Sequence, residues 1–205
     1  FVLLEQFFSF SIPKISTAKQ LAIELAKRTR FLKLQLIEEL NREEKIEGTQ
    51  TLEGFYKAFK NHLMSSLDVN QFADLFAQTV TYGLFVARTR DKKSEFNREI
   101  AVRLIPRTIG ILRQVFQFVS ATDLPISMKV IDDIAEVLAV ADVNKIIHRF
   151  YHDNKGTDPI IHFYETFLSE YDPKEREKRG VYYTPESVVR YIVSSVDYLL
   201  KKKFD

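Results

Sequence analysis

Thr184-Pro185 is the pair with the most chemical promise in this chain. Thr is a good helix N-cap, and Pro suits a first helical turn because its missing N–H has no partner there. The helix they open offers free backbone N–H groups and a partial positive charge, both suited to a carboxylate. Thr184 therefore either caps its own helix or shares those donors with an anionic ligand. A second constellation is basic. Arg88, Arg90, Lys92, Lys93, Arg98, Arg103, Arg107 and Arg113 outnumber Asp91, Glu95 and Glu99 over one stretch. On a shared face they would hold DNA phosphates, with salt-sensitive binding and no base readout. Dispersed, they are a solvated surface. His148 and His152 stand four apart, so a helix would place them on one face. Arg149 occupies the position where His-Glu-x-x-His needs its Glu, and no metal site is expected. His162 and Glu165 read as a surface pair.

The elements that must position these groups read as helices. Thr17 and Gln20 have capping-box spacing. Ala18, Leu21, Ala22, Leu25, Leu32, Leu36 and Leu40 then recur on one helical face to about Glu44. A second helix spans 52–64, with Phe55, Tyr56, Phe59 and Leu63 inward. A third, capped by Asp68 or Asn70, carries a wide stripe through Phe72, Phe76, Val80, Gly83, Leu84 and Ala87. Gly83 lowers helix propensity by about 1 kcal/mol against Ala, which a close helix crossing would explain. Helices over 96–104, 109–120, 126–141, 143–152 and 160–171 follow, the last with Ile161, Tyr164, Phe167 and Leu168 inward. The final helix starts at Thr184-Pro185 and runs an apolar face through Val188, Val189, Ile192, Val193, Val196, Leu199 and Leu200. Lys201-Lys202-Lys203 complements its negative end. No strand is expected, so the fold class is all-α, an irregular bundle of about eight helices.

Composition supports this reading. Hydrophobic residues are 45% and charged residues 28%, enough for a buried core in a soluble chain. Six glycines and six prolines leave few tight turns, against a strand-rich fold. Net charge is +2, so any nucleic-acid contact must come from local patches. The absence of cysteine excludes disulfides and fits a cytoplasmic protein. No apolar run approaches the roughly 20 residues of a membrane span. The apolar opening Phe1 to Phe10 lacks the basic leader and cleavage site of a signal peptide, and the missing initiator Met suggests a piece of a longer protein.

Phe163-Tyr164-Glu165-Thr166-Phe167-Leu168, then Tyr171 through Gly180-Val181-Tyr182-Tyr183-Thr184-Pro185-Glu186-Ser187-Val188-Val189, resembles large single-chain restriction–modification enzymes and their N6-adenine DNA methyltransferases. The Type IIG and single-polypeptide Type I groups are included. Ala73-Asp74-Leu75-Phe76-Ala77-Gln78-Thr79, Tyr82-Gly83-Leu84-Phe85 and Arg103-Leu104-Ile105-Pro106-Arg107-Thr108 look like the helical coupler of those proteins. The resemblance implies an N-terminal extension over 1–14, a coupler over 15–172, and over 173–205 a linker and the first helix of a truncated methyltransferase domain. It implies that Tyr182, Tyr183, Thr184 and Pro185 approach the methionine end of S-adenosylmethionine in the intact parent. DNA would be the substrate there, with an adjacent nuclease or translocase and the methyltransferase domain as partners, and no membrane.

Two family features are missing. The family holds its cofactor mainly on a Gly-rich loop and flips adenine against an Asn/Asp-Pro-Pro-Tyr/Phe motif. This chain has no closely spaced glycines and no Pro-Pro. It is expected neither to methylate nor to bind the cofactor by itself. Glu43-Glu44-Lys45 holds the Glu-x-Lys half of a restriction-nuclease site without its Pro-Asp half, and reads as a helix end. The charged run 174–179 reads as a solvated linker. A stand-alone helical interaction or regulatory domain without nucleic acid is the alternative, and salt-dependent DNA binding separates the two.

Overall fold

The computed structural model describes residues 15–44, 51–62, 64–91, 95–105, 110–122, 124–153, 158–174, 184 and 186–204. They form nine α-helices and one 3₁₀ turn, with no strand among the described residues. In chain order these are α1 (Ala18–Glu43), α2 (Thr51–His62), α3 (Val69–Arg90), α4 (Arg98–Leu104), α5 (Gly110–Val119), a 3₁₀ turn (Ile126–Met128), α6 (Val130–Val140), α7 (Val143–Asp153), α8 (Pro159–Tyr171) and α9 (Glu186–Phe204). The all-α expectation is met.

Local signals set the helix starts. Thr17 accepts from the Gln20 N–H at 3.2 Å, and the Gln20 side chain accepts from the Thr17 N–H in return. Asp68, not Asn70, caps α3 through a second reciprocal box with Gln71. Asn97 caps α4 and Asp158 caps α8. The start of α2 is capped from a distance: the Glu43 carboxylate accepts from the N–H groups of Leu52, at 3.2 Å, and Glu53, at 2.9 Å. A carboxylate at that end also suits the helix dipole.

The long helices α1 and α3 form the centre. α1 packs on α3, α6 and α8, and α3 also meets α4 to α7 and α2. Their crossing buries a hydroxyl pair, Thr29 Oγ1 to Thr81 Oγ1 at 2.8 Å, with Thr29 also donating to the Leu25 carbonyl. Satisfying both groups removes the cost of burying them. Phe55, Phe59, Phe72, Phe76 and Phe118 form one aromatic chain between α2, α3 and α5. Gly83 lies where a side chain has no room, since an added Cβ would overlap the Phe116 ring. The close approach expected from that glycine is therefore to an aromatic side chain of α5.

Two expectations are corrected. The helix expected over 126–141 is broken: a 3₁₀ turn precedes α6, joined through Lys129. The inward face of α8 is rotated from the expected stripe. Phe163, Phe167 and Tyr171 are buried, whereas Ile161 is 41% exposed. Phe163 stacks on Phe85 at 4.1 Å, which turns that residue inward. The apolar face of α9 is not covered by the bundle: Val188, Val189, Ile192, Val193, Val196, Leu199 and Leu200 are all exposed.

Candidate functional site

Thr184 is exposed, and Tyr182, Tyr183 and Pro185 lie outside the described residues. Behind Thr184, α9 is exposed along its length apart from half-buried Ser195. Its last turn carries Lys201, Lys202 and Lys203, as the dipole favours. Lys201 pairs with Asp197 at 2.9 Å and Lys202 sits over the Tyr198 ring at 5.6 Å. Ser187, Arg190, Tyr191 and Ser194 of α9 line an open surface groove.

The basic stretch divides into inward and outward groups. Arg88 is buried. Its Nε donates to the Leu138 carbonyl at 3.0 Å and its Nη1 to the Asp91 carbonyl at 3.3 Å. The Asp91 carboxylate lies 3.7 Å away and the Phe96 ring centroid 5.6 Å away. Arg98 pairs with Asp132 at 2.7 Å and caps the end of α5, donating to the carbonyls of Val119 and Ala121 at 2.7 and 2.6 Å. Both guanidiniums are committed inside the fold, which corrects their placement on an outward phosphate-binding face. Arg90, Arg103 and Arg113 are exposed. Arg90 reaches the Leu104 carbonyl at 3.3 Å, which sets it beside the end of α4. Lys92, Lys93 and Arg107 lie outside the described residues. Spacing alone does not separate these roles, because the partners Leu138, Val119 and Asp132 are distant in sequence.

His148 and His152 do share a face of α7, with their Nε2 atoms 3.2 Å apart. Among the described residues no group of three His, Cys, Asp or Glu side chains converges as a metal site. His162 Nδ1 lies 3.4 Å from Glu165 at the surface cleft it lines with Lys19 and Glu170. Glu43 is a capping carboxylate, and Glu39 pairs with Arg42 and accepts from Ser127 at 2.8 Å.

Sequence reasoning missed one polar network at the end of α8. The Tyr171 hydroxyl donates to Asp74 Oδ1 at 2.7 Å, and Lys33 reaches the same oxygen at 2.9 Å. Gln78 donates to Asp74 Oδ2 at 2.8 Å. Burial, then the Asp74 hydrogen bond and charge, hold the Tyr171 phenol far above its ordinary ionisation range. On α1, hydrogen bonds from Lys27 and Arg28 hold the Glu24 carboxyl below its usual range. Arg30 meanwhile donates to the carbonyls of Glu170 and Tyr171 at 2.8 and 3.0 Å. The only local hint was an Asp, a Lys and a Tyr each lying on a helix edge.

Residues 155–204 match the family model described as N-6 DNA Methylase. The match takes in both α8 and α9. No curated protein and no solved structure matches this chain. No described helix is long and apolar enough to cross a membrane. The C-terminal quarter of this all-helical chain is thus a region related to the N6-adenine DNA methyltransferases.

Proposed function

We propose that this chain is the helical coupler and methyltransferase-proximal segment of a restriction–modification N6-adenine DNA methyltransferase, and is non-catalytic alone. One observation carries the reading: the methylase-like region takes in a helix that packs in the bundle core and ends in one whose apolar face is exposed. The bundle would then act as a rigid mount over 15–172. The α9 stripe would seat on the rest of the methyltransferase domain. Thr184, with Tyr182, Tyr183 and Pro185, would supply one edge of an S-adenosylmethionine site that other parts of the parent complete. An upstream nuclease or translocase would be joined through the same mount.

DNA backbone contact would fall to Arg90 and Arg103, with Lys92, Lys93 and Arg107 close in sequence. Arg88 and Arg98 take no part, because their donors are used internally. The reading is tested on a polypeptide continued through the downstream coding sequence. It should transfer methyl groups to adenine N6 in DNA, and Ile192→Asp with Val196→Asp should abolish transfer while leaving the unfolding of the present chain unchanged. Retained transfer in that double variant would count against the seat proposed for α9. A chain that shows no salt-dependent affinity for duplex DNA would favour the stand-alone interaction domain.

A further inference from the structure

The end of α8 is held from two other helices at once. A helix leaves its last carbonyls without partners, and a cation nearby suits the dipole. α8 has no basic residue in its own last turn. Arg30 of α1 supplies the charge and takes the Glu170 and Tyr171 carbonyls, while the Asp172 N–H closes on the Leu168 carbonyl at 2.9 Å. The side chain of Tyr171 is gripped separately. The residue is 5% exposed, and its ring stacks on Phe167 at 5.6 Å and 14°. Its hydroxyl donates to the Asp74 carboxylate of α3, which Lys33 of α1 and Gln78 of α3 also hold. Backbone and side chain of one residue are thus tied to the two central helices, at the position after which the methylase-like segment leaves the bundle.

We infer that Arg30, Asp74 and Tyr171 form a three-helix clamp whose task is to fix that departure point, and that they are positioning residues for the methyl-transfer site. The positioning role rests on the function proposed above, whereas the clamp itself does not. Arg30 is the discriminating residue. It is an exposed side chain bonded to two terminal carbonyls, so removing it leaves the apolar core intact.

The test has two arms. In the present chain, Arg30→Met should speed amide hydrogen exchange at 168–172 by about tenfold or more, from the loss of its two charge-assisted bonds, with less than about twofold change at Phe85 in α3. Tyr171→Phe, which keeps the ring stack, should give a smaller acceleration at the same amides. Unchanged exchange there, or equal acceleration in α3, overturns the clamp. In the continued polypeptide, Arg30→Met should lower kcat for adenine methylation while KM for S-adenosylmethionine stays within about twofold, because a misplaced mount alters the reacting geometry more than the affinity. Local release with unchanged kcat overturns the positioning role. If the unmodified continued polypeptide methylates nothing, the functional reading falls and the first arm still decides the clamp.

Discussion

α8 and α9 lie in one matched segment, yet the chain treats them in opposite ways. α8 buries Phe163, Phe167 and Tyr171 and packs extensively on α1. α9 exposes a stripe of equal periodicity and greater length. Periodicity therefore reports that a helix has a face to bury, and says nothing of what buries it. The partner of α8 is present among the described residues. No described residue covers the apolar face of α9.

The largest test of the contrast is truncation. Phe167→Ala should destabilise the chain by about 3–5 kcal/mol in urea unfolding, since it opens a cavity beside Tyr164 and Tyr171. Val193→Ser on α9 should stay within about 0.5 kcal/mol, as for other exposed positions. Equal costs would erase the distinction. The basic stretch shows the same division on a smaller scale. Arg88→Met should cost about 3 kcal/mol by leaving Asp91 without its cation in a buried site, whereas Arg103→Met should be near neutral. Tyr171→Phe sharpens the picture through pH. The folded phenol ionises above its unfolded value near 10, so its stabilising contribution is full below about pH 10 and is lost as pH rises beyond it. Tyr171→Phe should lose less stability than the parent chain between pH 9 and about pH 11 in alkaline unfolding, and an identical loss would remove ionisation of the buried Tyr171 phenol as its cause. Smallest of all is the calorimetric heat with S-adenosylmethionine: no micromolar binding is expected of this chain, with Thr184 or Ala at that position.

Much of the bundle was legible because its signals are local. The Thr17 and Asp68 boxes and the α1 stripe need only neighbours three or four residues away. The rest depended on contacts far along the chain. Phe163 turned inward because Phe85 waits there, and Arg88 and Arg98 became internal because carbonyls on α5 and α6 faced them. Net charge and clustering cannot distinguish such an arginine from one that meets phosphate. The candidate site was legible only as a motif, since Thr184 sits in an open setting that no spacing rule describes.

The distant cap on α2 has its own consequence. Because Glu43 grips the first amides of α2 through space, docking of that helix does not rely on the covalent link between them. A protease nick within 45–50 should yield two pieces that co-purify and melt together. Replacing Glu43 by Gln should lower that common melting temperature without separating the pieces, because α1 is also held by α3, α6 and α8.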